Sequence, residues 1–313
     1  MRLVFLGSPA FAVPTLERLV QSGARVLEVV TQPDRPRGRG QQSSAPPVKE
    51  AALRLGIPVY QPERVRRPEA VDRLRTLAPD AMVVVGYGQI IPQVVIDIPR
   101  LGIINVHASL LPKYRGAAPV QWAIANGETR TGVTTMRIDA GLDTGDMLLS
   151  AETEIGPAET AVETGARLAA MGADLLICTL EGLEADSLIA RKQDPAEATY
   201  APLLKKEDGR IDWALPAEAI HNRVRGFQPW PGAYTAFRGQ TLRIWRSRPA
   251  AASCLAGLAA GRRSAATPLV VSCGRGALEL IEVQLEGRRR MSAADFANGH
   301  RLTENDVLGE PRT

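Results

Sequence analysis

The sequence has few of the residues that build disulfide frameworks and metal centres. It contains three cysteines and three histidines among 313 residues. Cys178, Cys254 and Cys273 are odd in number and lack Cys-x-x-Cys spacing, so neither a disulfide scaffold nor a zinc site is indicated. The histidines are widely spaced and have no cysteine partner nearby, which argues against a histidine-based metal centre. We expect no metal and a reducing compartment, the cytoplasm.

Long apolar runs and nucleotide-binding glycine motifs are also missing. The chain opens on a strand-like run at residues 2–6, without a basic region and a long apolar segment, so neither a secretory signal nor a membrane span is expected. Gly7 follows this run, where a dinucleotide-binding fold carries its phosphate loop. No Gly-x-Gly-x-x-Gly, Gly-Lys-Ser or Gly-Lys-Thr occurs, which argues against a nicotinamide dehydrogenase and an NTPase.

Charge is distributed unevenly along the chain. Residues 205–313 carry 17 Lys and Arg against 11 Asp and Glu, whereas residues 1–204 carry 21 against 23. A basic second half favours an acidic macromolecular partner, because Lys and Arg supply most contacts to phosphate. Arginine outnumbers lysine by 33 to 5, so a coding bias is an alternative source of the excess.

Alternating patterns in the first half predict an α/β domain with a Rossmann-like parallel sheet. Apolar runs of strand length are typical of buried parallel strands. The predicted strands cover residues 3–6, 26–30, 81–85 and 102–107. The predicted helices lie near residues 14–21, 48–55 and 160–182, the last from apolar residues at helical spacing.

The pattern changes after about residue 190. Residues 190–208 are polar and interrupted by proline, as expected of a linker. A helix at 217–224 and short strands at 241–245, 269–272 and 278–283 then predict a small β-barrel. The chain is long enough for two domains. We predict a catalytic domain at 1–189, a linker at 190–208 and a C-terminal domain at 209–313.

Asn105, His107 and Asp143 are the candidate catalytic residues. Asn105 and His107 are two residues apart on a predicted strand, so their side chains face the same side. An amide that donates to a developing oxyanion, beside an imidazole that moves protons near neutral pH, is suited to acyl transfer. Asp143 could orient the imidazole and stabilise its charged form. A turn-capping Asn and a core His remain the structural alternative.

Several segments resemble the folate-dependent formyltransferases. They are the Asn-x-His-x-Ser-Leu-Leu-Pro run at 105–112, its Tyr-Arg-Gly-Ala-Ala-Pro continuation at 114–119, the Asp-x-Gly-x-Asp-Thr-Gly segment at 139–145, and residues 7–11, 31–40, 87–92 and 229–233. The catalytic motifs are shared by the whole superfamily. The Arg-rich loop at 35–39 and the Pro-Trp-Pro-Gly-Ala run at 229–233 are more specific to members that formylate an aminoacyl-tRNA.

This resemblance implies a fold, a reaction and a set of contacts. The fold is a formyltransferase domain followed by an OB-like, tRNA-binding C-terminal domain. The reaction transfers a formyl group from 10-formyltetrahydrofolate to the α-amino group of methionine on charged initiator tRNA. The enzyme would be a bacterial monomer that needs no metal. The predicted folate contacts are Gly86, Tyr87, Gly88, Gln89, Ile90, Ser109, Leu110, Leu111 and Pro112.

The loop at residues 32–47 is predicted to contact the tRNA. Arg35, Arg37 and Arg39 are interleaved with Pro and Gly in a long connection between a strand and a helix. Loops longer than about 12–15 residues are usually functional or disordered. Where relatives continue with lysines, this chain has Gln41-Gln42-Ser43-Ser44, so more of the contact falls on the arginines. Lys205, Lys206 and Arg223 are expected to add weaker contacts.

The sequence is also compatible with three alternative functions. A relative that formylates a sugar nucleotide or a purine precursor would share the three catalytic residues but would have no use for the arginine loop. A formyltetrahydrofolate hydrolase would use the same residues with water as nucleophile. A non-catalytic RNA-binding protein on a retired enzyme fold is disfavoured because all three polar residues are present in matching motifs.

Overall fold

The computed structural model describes residues 1–37, 42–250, 259–262, 268–303 and 306–309. Their contacts form two compact units. The first comprises residues 1–116, 132–153 and 165–200, and the second comprises residues 117–131, 154–164 and 201–313. The second unit thus takes two segments from the first half of the chain. The linear domain boundaries given above remain a prediction.

The described residues up to 201 form a mixture of strands and helices. In chain order they are β1 (Arg2–Gly7), α1 (Val13–Gln21), β2 (Arg25–Val30), β3 (Arg35–Arg37), β4 (Gln42–Ser44), α2 (Pro47–Arg54), β5 (Val59–Tyr60), α3 (Pro68–Leu77), β6 (Ala81–Val85), α4 (Gln93–Ile96), β7 (Ile103–His107), β8 (Arg115–Gly116), α5 (Pro119–Ala125), β9 (Arg130–Arg137), β10 (Met147–Glu154), α6 (Ala161–Glu184) and β11 (Tyr200–Ala201).

Seven of these strands form one sheet in the order β10-β9-β7-β6-β1-β2-β5. The pairs β2–β5, β1–β2, β1–β6 and β6–β7 are parallel, and β9 joins β7 in the antiparallel direction. Every residue of β6 and β7 is buried, which explains their continuous apolar runs. The predicted Rossmann-like sheet is confirmed.

The strand order reverses direction between β1 and β6. From β1 the chain moves outward to β2 and β5, and later elements return to the other side through β6 and β7. In open α/β sheets, ligands bind outside the carboxyl ends of the strands at such a switch point. The segments that follow β1, β6 and β7 are therefore the expected walls of a site.

The connection at residues 32–47 differs from the predicted continuous loop. β3 and β4 pair as a short antiparallel hairpin, with Arg35 opposite Ser44 and Arg37 opposite Gln42. The prediction missed it because the six paired residues carry no apolar alternation, and backbone hydrogen bonds alone define the ladder. Residues 38–41, which include Arg39, lie outside the described part of the chain.

An antiparallel sheet dominates the second unit. Beyond residue 201, the helices and strands of this unit are α7 (Ala217–Gly226), β12 (Ala233–Phe237), β13 (Gln240–Ala250), β14 (Val270–Ser272), β15 (Ala277–Leu285), β16 (Met291–Ser292) and α8 (Ala293–Gly299). The strands pair in the order β12-β13-β15-β14, and β16 adds to β15. The prediction was a small OB-like β-barrel, and its β-architecture is confirmed as a curled antiparallel sheet that forms half of a barrel.

Alternating burial gives the second unit its core. In β12 the residues alternate between buried and half-buried, so Phe237 points inward with Leu242, Ile244 and Val283. Phe296 of α8 packs edge-on against Phe237, with ring centroids 5.1 Å apart. α5 and α7 also pack together, and Trp122 meets Phe227 at 5.3 Å. Within the described residues, no helix is long and apolar enough to cross a membrane.

A buried histidine, His221, lies between two hydrogen-bond partners in the second unit. His221 Nε2 lies 3.1 Å from the Pro157 carbonyl oxygen, and Nδ1 lies 3.1 Å from Ser247 Oγ. A carbonyl only accepts, so Nε2 carries the hydrogen and the serine hydroxyl donates to Nδ1. Burial lowers the pKa of His221, the Pro157 hydrogen bond opposes this, and the nearby positive Arg225 lowers the pKa further.

We expect acid to destabilise this unit through His221. Because its folded pKa lies below the unfolded value of about 6.5, the unfolded chain binds the proton more readily. The stability that neutral His221 contributes is present above about pH 6.5 and falls as the pH drops toward the lowered folded pKa. Urea unfolding between pH 5 and pH 8 measures this slope. A His221→Gln variant should have a flatter profile, and equal slopes would contradict the assignment.

Candidate active site

Strand β7 holds the two central residues of the candidate site. Asn105 lies beside Val84 of β6 and opposite Met136 of β9, and His107 lies opposite Thr134. Their positions two apart give both side chains the same face of the sheet, as predicted. Asn105 is 8% exposed and His107 is 6% exposed, so both are nearly enclosed by protein.

The side-chain amide of Asn105 makes no hydrogen bond within the described part of the chain. Buried polar groups are normally paired, since leaving a donor unsatisfied costs about 1–3 kcal/mol. An unpaired amide on a fixed central strand is therefore available to a ligand atom. This is the arrangement needed for a preformed oxyanion donor.

His107 has a different partner at each ring nitrogen. Nε2 lies 3.0 Å from the Tyr114 carbonyl oxygen. Because that oxygen can only accept, the neutral imidazole carries its hydrogen on Nε2, which leaves Nδ1 without one. Nδ1 faces Asp143 Oδ2 at 3.7 Å, too far for a hydrogen bond. A proton that arrives at Nδ1 gives an imidazolium beside a carboxylate.

The Asp143 carboxylate is fixed by backbone geometry. Its Oδ2 accepts a hydrogen bond of 2.8 Å from the Gly116 backbone N–H. Asp143 itself has a φ of 52°, in the left-handed region that few non-glycine residues adopt. The preceding turn is tied by Asp139, whose Oδ1 accepts from the Gly141 N–H at 3.0 Å and the Thr144 hydroxyl at 2.7 Å. These bonds account for the Asp-x-Gly-x-Asp-Thr-Gly pattern.

The predicted folate loop after β6 is held by its backbone. Gly86 and Gly88 have φ values of 57° and 79°, which glycine adopts without strain. The Tyr87 carbonyl accepts hydrogen bonds from Gln32 Nε2 at 3.0 Å and from Ser8 Oγ at 3.4 Å. Residues after β1, β2 and β6 therefore meet at the switch point.

The side chains of this loop differ in burial and in the contacts that they make. The Tyr87 side chain is buried in an apolar cluster, and burial raises its pKa, so only its backbone is available to a ligand. Gln89 donates to the Pro62 carbonyl and accepts from the Val65 N–H at 2.8 Å, which anchors the loop. Ile90 is 90% exposed and is the apolar surface that the loop presents.

The second predicted folate segment, at 109–112, is a tight turn after β7. Ser109 Oγ donates to the Lys113 carbonyl at 2.6 Å. Thr134 Oγ1 donates to the Ser109 carbonyl at 2.7 Å and accepts from the Leu111 N–H at 3.1 Å. Leu110 is half-buried, while Leu111 and Pro112 are buried. The turn is thus fixed beside Asn105 and His107 in the chain.

The predicted tRNA-binding residues belong to both units. Arg35 is exposed on β3, the backbone of Arg37 is in the same strand, and Arg39 lies outside the described residues. In the second unit, Lys205 and Lys206 are exposed. Arg223 is half-buried, and its guanidinium lies 5.9 Å from the centroid of the Phe227 ring.

Four residues around His107 and Asp143 were not among the predicted site residues. Tyr114 supplies the carbonyl to His107, and Thr199 Oγ1 accepts from the Tyr114 N–H at 2.8 Å. Gln193 donates to the Asp143 carbonyl, and Arg115 donates to Gln193. Tyr114 and Arg115 fall in a matching motif, so the resemblance could have identified them. No local pattern marks Gln193 or Thr199.

No cluster of His, Cys, Asp and Glu within the described ranges could hold a metal ion. Cys178 is exposed, and burial raises the pKa of Cys273 to about 11. Cys254 lies in a stretch that the structure does not describe.

Comparisons with known proteins agree with this architecture. The model of the formyl transferase family matches residues 1–180, and that of the formyl transferase C-terminal domain matches residues 203–301. A solved sugar 3N-formyl transferase, crystallised in the presence of dTDP and 5-N-formyl-THF, shares the fold with a TM-score of 0.67 at 18% identity. The match covers 92% of this chain and 99% of the relative's chain.

Curated relatives are much closer in sequence. A methionyl-tRNA formyltransferase of Solibacter usitatus is 70% identical over 310 residues, which is 99% of each chain. One of Koribacter versatilis is 56% identical over 311 residues, also 99% of each chain. The chain therefore belongs to the formyl transferase family, and its sequence groups with the methionyl-tRNA formyltransferases.

Proposed function

We propose that this formyltransferase transfers the formyl group of 10-formyltetrahydrofolate to the α-amino group of methionine on charged initiator tRNA. The observation that carries the proposal is the unpaired Asn105 amide on the strand that also holds His107, with Asp143 facing the imidazole. Full-length identity of 70% to a methionyl-tRNA formyltransferase supports methionyl-tRNA as the acceptor.

Asn105 stabilises the charge that develops during the reaction. The amine attacks the formyl carbon, and the carbonyl oxygen becomes negative in a tetrahedral intermediate. The Asn105 amide donates a hydrogen bond to this oxygen, assisted by His107 when it is protonated. One such donor contributes about 2.7–4 kcal/mol to the transition state in comparable sites.

His107, with Asp143 facing it, transfers a proton from the attacking amine to the departing folate nitrogen. A new bond forms between the amine nitrogen and the formyl carbon, and the bond from that carbon to the folate nitrogen breaks. Nδ1 of His107 takes the proton from the amine and returns it to the departing nitrogen, directly or through an ordered water. The Asp143 carboxylate stabilises the imidazolium between these steps. No covalent bond to the enzyme is required.

The two loops flanking the strand ends suit a folate. Gly86 and Gly88 let backbone donors and acceptors approach a flat heterocycle, and Ile90 offers an exposed apolar surface. The turn at 109–112 follows His107 in the chain, and we place the formyl-bearing end of the folate against it. The solved relative crystallised with 5-N-formyl-THF supports a formyl-folate donor, and the 10-formyl isomer is our proposal for this chain.

Donor and acceptor can be tested in one assay. Purified enzyme is mixed with methionyl-tRNA and either 10-formyl- or 5-formyltetrahydrofolate, and formylmethionyl-tRNA is measured in a single turnover. We expect product with the 10-formyl donor alone. Equal rates with both donors would overturn the donor assignment, and no product with either would overturn the proposed function.

Removal of metal should leave the rate unchanged. The proposed chemistry uses an amide, an imidazole and a carboxylate, with no step that needs a Lewis acid. Formylation is measured before and after exhaustive chelation and dialysis. Activity that is lost with the chelator and restored by zinc would require a different site.

The arginine-bearing segment at 35–39 is proposed to grip the acceptor end of the tRNA. Arg35 is exposed on β3, Arg37 belongs to the same strand, and Arg39 follows two residues later in the sequence. Arginine side chains can bind the phosphates and stack on the unstacked bases at the end of an RNA stem. Lys205, Lys206 and Arg223 of the second unit are proposed to make weaker phosphate contacts. We also propose a cytoplasmic monomer with domains at 1–189 and 209–313 and a linker at 190–208.

Replacing Arg35, Arg37 and Arg39 with alanine should weaken tRNA binding and leave folate binding intact. Fewer counterions are released, so the slope of log affinity against log salt should become shallower by about 2–3. Binding across a salt series measures the slope. In a control variant, alanine replaces the exposed Arg25, Arg66 and Arg100, so that the same amount of charge is lost elsewhere on the surface. Equal slopes for the two triple variants would remove the segment from the interface.

A further inference from the structure

Both partners of the His107 ring are held by one later segment of the chain, residues 191–199. Tyr114, whose carbonyl accepts from Nε2, has a φ of 61°, and Asp143, which faces Nδ1, has a φ of 52°. Two non-glycine residues in the left-handed region at one site need surrounding contacts to keep them there, because each costs roughly 1–3 kcal/mol. Residues 191–199 supply those contacts.

Gln193 contacts the Asp143 loop. Its Nε2 donates to the carbonyl oxygens of Asp143 and Gly145, each at 2.8 Å. Arg115 Nε donates to Gln193 Oε1 at 3.0 Å. Arginine has no acceptor, so this bond fixes which end of the amide faces the loop. Gln193 is 8% exposed and Arg115 is 5% exposed, so water does not readily replace these bonds.

Thr199 contacts the Tyr114 side of the ring. Its Oγ1 accepts from the Tyr114 N–H at 2.8 Å, and its carbonyl accepts from the Arg115 N–H at 2.9 Å. At the other end of the segment, Arg191 and Met147 exchange two backbone hydrogen bonds of 2.8 Å. The segment is thus anchored on both sides of the histidine.

We propose that Gln193 and Thr199 are positioning residues for formyl transfer, acting through Asp143 and Tyr114 to set the tautomer and orientation of His107. The proposal rests on the proposed function for its catalytic consequence. Neither residue touches the reacting atoms. Gln193 keeps the Asp143 carboxylate facing Nδ1, and Thr199 keeps the Tyr114 carbonyl against Nε2. Together they leave Nδ1 as the nitrogen that exchanges protons with the substrate.

The test uses Gln193→Leu, which removes both amide donors at similar size, and Thr199→Val, which removes the hydroxyl. Thr199→Ser restores that hydroxyl. Lys192→Ala is the matched control, an exposed neighbour in the same segment. In the first two variants we expect single-turnover formylation to slow by about 10- to 100-fold, because misplaced catalytic groups lose rate steeply. KM for donor and tRNA should be unchanged, and Thr199→Ser should recover the rate.

A second readout does not depend on activity. The chain has three histidines, so ¹⁵N NMR resolves the ring nitrogens of His107, with His107→Gln for assignment. We expect the neutral wild-type ring to be a single Nε2–H tautomer, because Nε2 lies 3.0 Å from the Tyr114 carbonyl oxygen. Gln193→Leu and Thr199→Val should mix the two tautomers, while Lys192→Ala should not.

Each outcome decides the proposal. Rates within about twofold of wild type in both variants, or slow variants with an unchanged His107 tautomer, would overturn it. A variant that fails to fold is replaced by Gln193→Glu, which keeps the acceptor for Arg115 and removes the donors. The expected tautomer changes in a protein that does not formylate methionyl-tRNA would support the positioning role and overturn the proposed function instead.

Discussion

Replacing Asn105 with alanine is expected to slow formyl transfer by about 100- to 1,000-fold, the usual cost of removing one oxyanion donor. The amide is nearly buried and unpaired in the described structure, so its removal breaks no bond within the protein. The fold and the affinity for folate should therefore be little changed. Single-turnover transfer to methionyl-tRNA measures the rate, and equilibrium binding of the folate measures the affinity.

Asn105→Asp sharpens this test. It keeps the size of the side chain but replaces the amide donor with a negative carboxylate, which opposes charge on the formyl oxygen. We expect it to be at least as slow as Asn105→Ala. A folded Asn105→Ala protein with a near-normal rate would rule out the amide as the oxyanion donor.

Replacing His107 with alanine is expected to lower turnover by about 100-fold or more, since a positioned general base typically contributes 10²–10⁴-fold. Asp143→Asn should be severely impaired as well, because the imidazolium loses its facing carboxylate. The measurement is single-turnover transfer.

Added imidazole provides the control for His107. If the missing ring acts only in proton transfer, imidazole in solution should restore part of the His107→Ala rate and none of the Asn105→Ala rate. A folded His107→Ala enzyme that retains the wild-type rate would exclude histidine from proton transfer.

Four of the seven strands of the central sheet could be predicted, because buried parallel strands leave continuous apolar runs. The short β5 and the strands β9 and β10 were not predicted. The strand predicted at 81–85 is β6, and the one predicted at 102–107 begins one residue early. In β13 the prediction covered only residues 241–245 of an element that extends over Gln240–Ala250. Arg246 and Arg248 and two register shifts against β15 hide its second half, since a bulge disturbs the alternation of faces.

Local spacing could predict only part of the candidate site, and Asp143 was identified through a matching motif. Asn105 and His107 share a strand face, so the period of two was enough to bring them together. Gln193 and Thr199 lie in a polar, proline-interrupted stretch whose composition predicts a linker. Their contacts with Asp143 and Tyr114 span 50 and 85 residues of sequence, and single-sequence patterns carry no information at that range.

The acceptor competition is the most direct test of the central claim. Labelled formyl is followed from 10-formyltetrahydrofolate in the presence of methionyl-tRNA, free methionine, glycinamide ribonucleotide and water. If the Asn105–His107–Asp143 site acts on methionyl-tRNA, the label should appear on the tRNA. Asn105→Ala and His107→Ala should each slow its appearance by about 100-fold or more. Label that appears first on the ribonucleotide or as free formate would contradict the account.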